Sequence, residues 1–177
     1  MAEAKKLLFI GIIFHEISHL LACLAFGVKV FQVKLLDDNE AFVEHEKPNA
    51  WQSVLISLAP FLLGNATSFL LAKNAFALVQ GTAVLAAVFF WLSISISYNS
   101  FPSAQDAKNA FESVFSFYAK KAKEKNKGLA TKILWIATFP FVFAPLSIAT
   151  AAMLFLGKFS VTRVLWTVAL LGAANIA

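Results

Sequence analysis

The stretch LLFIGIIFHEISHLLACLAF, residues 7–26, decides the fold. It is apolar and long enough to cross a bilayer, yet His15-Glu16-Ile17-Ser18-His19 sits inside it. At a helical rise of ~1.5 Å per residue, His15 lies roughly 14 Å beyond Lys6. In a hydrocarbon core of about 30 Å that is near the midplane. One ionisable residue there costs on the order of 2.5–3.5 kcal/mol on insertion scales. Three together need a compensating partner, and a metal ion supplies one.

HEISH matches HExxH. Positions i and i+4 share one helix face, so both imidazoles can reach one ion. Glu16 stands beside them, where a water on the metal would sit. Zinc hydrolases use three protein ligands and keep a fourth position for water, whose proton a carboxylate removes. HExxH also arises by chance in soluble helices. A chance match here would leave a carboxylate and two imidazoles in lipid without purpose, so the metal reading is preferred.

The 177 residues are 59% hydrophobic, with 19 Phe, and the mean hydropathy is +0.73. This composition predicts an all-α polytopic membrane protein of one domain, residues 1–177, with a core over 7–110 and additional helices over 129–177. The net charge of +5 comes from local clusters and does not imply nucleic acid. Cys23 is the single cysteine, which excludes an internal disulfide. Lys5 and Lys6 before an apolar run resemble a signal peptide, but cleavage would discard the metal motif.

Five apolar segments stand out, at about 7–27, 51–72, 75–97, 129–157 and 160–177. Pro60, Gly64 and Asn65 predict an irregular middle for the second, and Pro140 and Pro145 a kink or tilt in the fourth. Residues 28–48 carry a hairpin pattern: Val28 to Leu35 alternating outward, Asp37-Asp38-Asn39 as turn, Ala41 to Glu44 returning. Pro102 should end the third helix, and a new helix should start at Ser103. Ala104, Ala107, Phe111, Val114, Phe115 and Tyr118 give it an apolar stripe, and lysines 120, 121, 123, 125 and 127 follow. That predicts an amphipathic helix on the bilayer surface, ending in a solvated basic loop.

Five crossings would put Lys5, Lys6, Lys73, Lys158 and Arg163 on one side. The other side would hold Lys29, Lys34, Lys47, Lys108, the lysines of 120–127 and Lys132. The positive-inside rule makes the second side cytoplasmic, with the hairpin and the basic loop 108–132, and leaves the N-terminus outside.

Two histidines do not complete a zinc site. Asp106, Glu112, His45, Glu44, Glu46 and Cys23 are the candidates for a third ligand. Asp106 is the best placed, behind a proline and on the side where the motif opens. Ser103-Ala-Gln-Asp106 is equally a capping-box pattern, in which Asp106 only ties down a helix N-terminus.

HEISH in a membrane helix, a cytoplasmic hairpin and an Asp after a proline-containing break resemble the site-2 proteases, which are intramembrane zinc metalloproteases. The resemblance covers roughly residues 7–110. It implies that His15, His19 and Asp106 bind zinc and that Glu16 is the catalytic base. Ala59-Pro60-Phe61-Leu62-Leu63-Gly64-Asn65 looks like a loosened form of the family's Gly-Pro-x-x-Asn pattern, which implies that Asn65 contacts substrate or an oxyanion; the plain reading of Asn65 is a helix-packing hydrogen bond. No Gly follows Asp106, Ala59 stands where the pattern has Gly, and no PDZ-like or CBS-like domain is present. This resembles a minimal, divergent member.

The resemblance also implies that the substrate is a membrane-spanning or membrane-adjacent stretch of another protein, extended at the site. The hairpin would hold it by strand addition. Two readings compete: a membrane metallopeptidase of another HExxH class using Glu112 as third ligand, and a non-catalytic metal-binding membrane protein. The latter would not need Glu16.

Overall fold

The computed structural model of the chain describes residues 7–35, 41–123 and 128–177. The expected turn Asp37–Asn39, and Lys5, Lys6, Lys125 and Lys127, lie outside the described residues. The fold is mostly helical with one small antiparallel sheet. The order is α1 (Phe9–Ala25), β1 (Val30–Lys34), β2 (Phe42–His45), α2 (Ala50–Leu78), α3 (Ala83–Tyr98), α4 (Ala104–Lys123), α5 (Leu129–Lys158) and α6 (Ser160–Ile176). Two of these, α2 and the Ile133–Lys158 part of α5, are long and apolar enough to cross a membrane. Helices α1, α3 and α6 are apolar but only 16–17 residues long.

Helix α1 ends at Gly27, whose φ of 67° suits a residue without Cβ. The Val28 N–H returns to the Cys23 carbonyl at 2.8 Å, closing the helix and turning the chain into the hairpin. Cys23 is fully buried in a small apolar core with Ala22, Val28, Ile56 and Ala59, as a small hydrophobe would be. A reciprocal capping box between Asn49 and Gln52 starts α2.

Four helices form the bundle that carries the motif. The Trp91 indole donates to the Leu7 carbonyl at 2.9 Å, and His15 meets Asn99, so α1 and α3 run the same way. Helix α2 runs against them, with Ser68 and Ser93 exchanging hydroxyl and carbonyl bonds. Gly11 lets α1 and α3 approach closely: a Cβ there would lie 1.9 Å from the Ser95 carbonyl oxygen.

Helix α6 runs alongside α2 in the same direction. Its Trp166 donates to Asn65 at 2.7 Å, and the Ala177 carbonyl accepts from Lys73 at 3.2 Å. This corrects the expected alternation of sides. Arg163 sits over the rings of Tyr98 and Phe101, at the hairpin-proximal end of α3, instead of beside Lys73.

Three further expectations are corrected. Helix α2 continues without interruption through Pro60, and four residues separate its end from the start of α3, so the break falls at 79–82 and not near Lys73. The carbonyl that Pro60 leaves without a helix partner is satisfied from α1, as described below. Helix α4 does not lie free on a surface. It packs against α2 through Ala50, Val54, Ala110, Val114 and Tyr118, and against α5 through Phe117, Trp135 and Phe139. Its buried face therefore runs through Asp106, Ala107, Ala110, Val114 and Tyr118, while Ala104 and Phe115 are exposed.

Candidate metal centre

The packing of α1, α2, α3 and α4 brings three residues from two distant segments together. His15 Nε2 and His19 Nε2 are 3.3 Å apart. Asp106 Oδ1 is 3.2 Å from His19 Nε2, and Asp106 Oδ2 is 3.5 Å from His15 Nε2. Among the described residues this is the group of His, Cys, Asp and Glu side chains that could hold a metal ion.

The other ring nitrogens decide what this group can do. His15 Nδ1 lies 2.8 Å from the Asn99 carbonyl oxygen, and His19 Nδ1 lies 2.9 Å from that of Ile56. A carbonyl only accepts, so both Nδ1 atoms carry the proton and donate it. Each neutral imidazole then turns its Nε2 lone pair inward. Two lone pairs and a carboxylate facing one another at 3.2–3.5 Å repel unless a cation lies between them. Ligand atoms ~2.05 Å from one zinc ion at a tetrahedral angle lie about 3.3–3.4 Å apart. The observed spacings match, so the residues present fit such an ion. The carbonyl partners supply the orienting bonds that metal-ligating histidines use.

Asp106 is both the cap and the third member of the cluster. Its Oδ2 accepts the Ser103 N–H at 2.7 Å, and its own N–H donates to Ser103 Oγ at 3.1 Å. The capping box starts α4 and also aims the carboxylate at the histidines. The Ser103 N–H that Oδ2 accepts favours the carboxylate, the form in which the group binds metal.

A cavity of about 1030 Å³ opens at the cluster. Glu16 lines it beside the histidines and makes no hydrogen bond or ion pair among the described residues. Ser53, Ser57, Asn109 and Ser113 form a polar wall between α2 and α4, which the sequence pattern did not single out. Phe42, Val43 and His45 of β2 line the same cavity. The Glu46 N–H bonds the Lys29 carbonyl at 2.8 Å across the Val30–His45 pair, which marks that pair as non-hydrogen-bonded. A bulge between Val30 and Gln32 preserves the alternation along β2. Val43 and His45 therefore turn their backbone N–H and C=O groups away from β1, on the strand whose residues line the cavity.

Of the remaining candidates, Glu112 and His45 line the cavity outside the cluster, and Asn65 and Cys23 do not line it. Glu112 is two-thirds exposed and pairs with Lys108 at 3.9 Å, outside the three-residue cluster. Asn65 is not among the cavity residues. Its amide donates to Phe61 at 2.7 Å and accepts from Trp166, so it joins α2 to α6 and is not placed to touch a substrate at the cluster. Cys23 is buried in the apolar core, and His45 bonds the Glu46 carbonyl.

The chain matches no protein-family model, no curated protein and no solved structure. The geometry alone assigns a His15–His19–Asp106 group able to hold a metal ion, with a carboxylate beside it in the same cavity.

Proposed function

We propose that this chain is an intramembrane zinc endopeptidase, similar to the site-2 proteases. The observation that carries the reading is the convergence of His15, His19 and Asp106 on one point, with β2 and Glu16 in the same cavity, Glu16 making no hydrogen bond or ion pair among the described residues.

Zinc, when bound, supplies Lewis acidity toward a water and toward a peptide carbonyl. The chain's own residues do the rest. Val43 and His45 on the β2 edge bond the backbone of an extended substrate and hold its scissile carbonyl toward the cluster. Glu16 accepts the proton of the attacking water as its oxygen bonds the carbonyl carbon. Glu16 then gives that proton to the departing amine nitrogen as the C–N bond breaks. The Ser53–Asn109–Ser113 wall keeps water at a depth where the helix exteriors are apolar.

A membrane setting is supported by α5. Its Ile133–Lys158 stretch is long and apolar enough to cross a bilayer, and exposes Ile133, Leu134, Phe141, Ile148 and Phe155, a surface that lipid would cover. We place the hairpin side in the cytoplasm and the N-terminus outside. The position of Arg163 near Tyr98 adds a positive charge to the side already rich in lysine, in the sense the positive-inside rule requires.

The test compares membrane proteomes of cells expressing wild type and Glu16→Gln. Uncleaved membrane proteins should accumulate with the variant. Identical profiles would favour a non-catalytic metal protein, for which Glu16 is dispensable.

A further inference from the structure

Helix α2 holds a proline in its interior, at Pro60, fully buried against its neighbours. Proline has no N–H, and its ring crowds the carbonyl four residues earlier and tilts it out of the helix ladder. Four residues before Pro60 is Ile56. The Ile56 carbonyl is the acceptor that His19 Nδ1 reaches at 2.9 Å. The His15 acceptor has a similar origin: Asn99 is the C-terminal cap of α3, where helix carbonyls lack N–H partners. Both orienting bonds thus use backbone carbonyls that the helices themselves leave open. At Asn99 a helix end does this; at Ile56 only Pro60 does.

We infer that Pro60 is a positioning residue of the metal centre: by withdrawing a helix N–H from the Ile56 carbonyl, it creates the acceptor that fixes the His19 ring and turns Nε2 toward Asp106. This rests on the metal reading of the cluster and not on the proteolytic one. It also accounts for a buried proline in an unbroken helix. In a low-dielectric bundle an open carbonyl is costly, and His19 removes that cost only in the orientation that binds metal.

Pro60→Ala restores an N–H that competes for the Ile56 carbonyl and draws it back into the ladder. A purely structural proline and a positioning proline then make opposite predictions. The helix gains a hydrogen bond and loses its strongest breaker, against which stand the void left by the buried ring and the freed His19 N–H, so the metal-free melting temperature should move little. Zinc affinity should nevertheless fall about tenfold or more, the usual effect of losing an outer-shell partner.

The full chain, purified in detergent, is titrated with zinc against a chelator and with Co²⁺ followed by its visible absorption. Ser68→Ala serves as control. It removes bonds to Ser93 from the same helix, far from Ile56, and sets how much affinity follows bundle stability. A Pro60→Ala loss that exceeds the control, with an altered Co²⁺ spectrum, is the expected result. A loss no greater than that of Ser68→Ala, or an unchanged Co²⁺ spectrum, overturns the proposal. If wild type itself takes up no zinc, the metal centre fails first, and that outcome is recognised without reference to any variant.

Discussion

Gly11→Ala tests whether the α1–α3 contact sets the geometry of the metal centre. A Cβ on Gly11 would sit 1.9 Å from the Ser95 carbonyl oxygen and 2.6 Å from the Asn99 amide nitrogen. Side-chain carbons do not approach closer than about 3 Å, so the two helices must part by roughly 1 Å or more at this level. His15 lies one helical turn further along α1, and its Nδ1 bond to Asn99 is 2.8 Å. Adding about 1 Å takes it beyond any useful hydrogen bond. The Gly11 N–H to Ser95 Oγ bond of 2.8 Å goes with it. Overpacking of this kind costs about 1–3 kcal/mol of stability. Loss of the orienting bond lowers metal affinity about 10–100-fold, equivalent to ~1.4–2.8 kcal/mol. Chelator competition and thermal melting measure the two effects. Gly81→Ala, with nothing within 4 Å of its new carbon, should change neither. Wild-type zinc affinity in Gly11→Ala would refute the idea that helix separation at this glycine positions His15.

Other outcomes separate the roles of neighbouring residues. Asp106→Ala should lose stoichiometric zinc, whereas Ser103→Ala should keep it and lose only about 0.5–2 kcal/mol of stability, the value of a helix cap; equal zinc binding in both would reduce Asp106 to a cap. Glu16→Gln should retain zinc and the wild-type melting temperature, because it adds no bulk and breaks no bond within the described structure; zinc loss on titration would make Glu16 a ligand. Val43→Pro should abolish cleavage in a folded, zinc-loaded protein while Val33→Pro, on the strand away from the cavity, should do less. The reverse order would put substrate on β1 or exclude strand addition.

The shared helix face of His15 and His19, with Glu16 beside them, was legible because a local spacing carries it. Asp106 was legible only as an ambiguity, since Ser103-Ala-Gln-Asp106 reads as a capping box; the structure shows that capping and convergence on the histidines use the same carboxylate. The acceptors at Ile56 and Asn99 were invisible, because a backbone carbonyl leaves no mark in a side-chain pattern. Pro60 was visible but misread, because a breaker in isolation becomes tolerable when a side chain from another helix takes the freed carbonyl. Asn65 was drawn toward the site by a motif likeness, while its partner Trp166 lies about a hundred residues away, beyond the reach of local reading. The direction of α6 was missed for a similar reason: alternation assumes that every apolar segment crosses, and only tertiary contacts set its course.

The double duty of Asp106 has a consequence for biosynthesis. The two imidazoles and Glu16 emerge from the ribosome in the first helix, but the carboxylate that completes the donor set follows about 90 residues later. At ~5–20 residues per second that delay is on the order of ten seconds. Over that interval a nascent chain holds the two imidazoles and Glu16 without the carboxylate that completes the three-residue group. The centre closes only when Ser103 and Asp106 cap α4 and dock it against the bundle. Completion of the donor set is thereby deferred until most of the helices around it have been made, and the helix cap serves as the timing element.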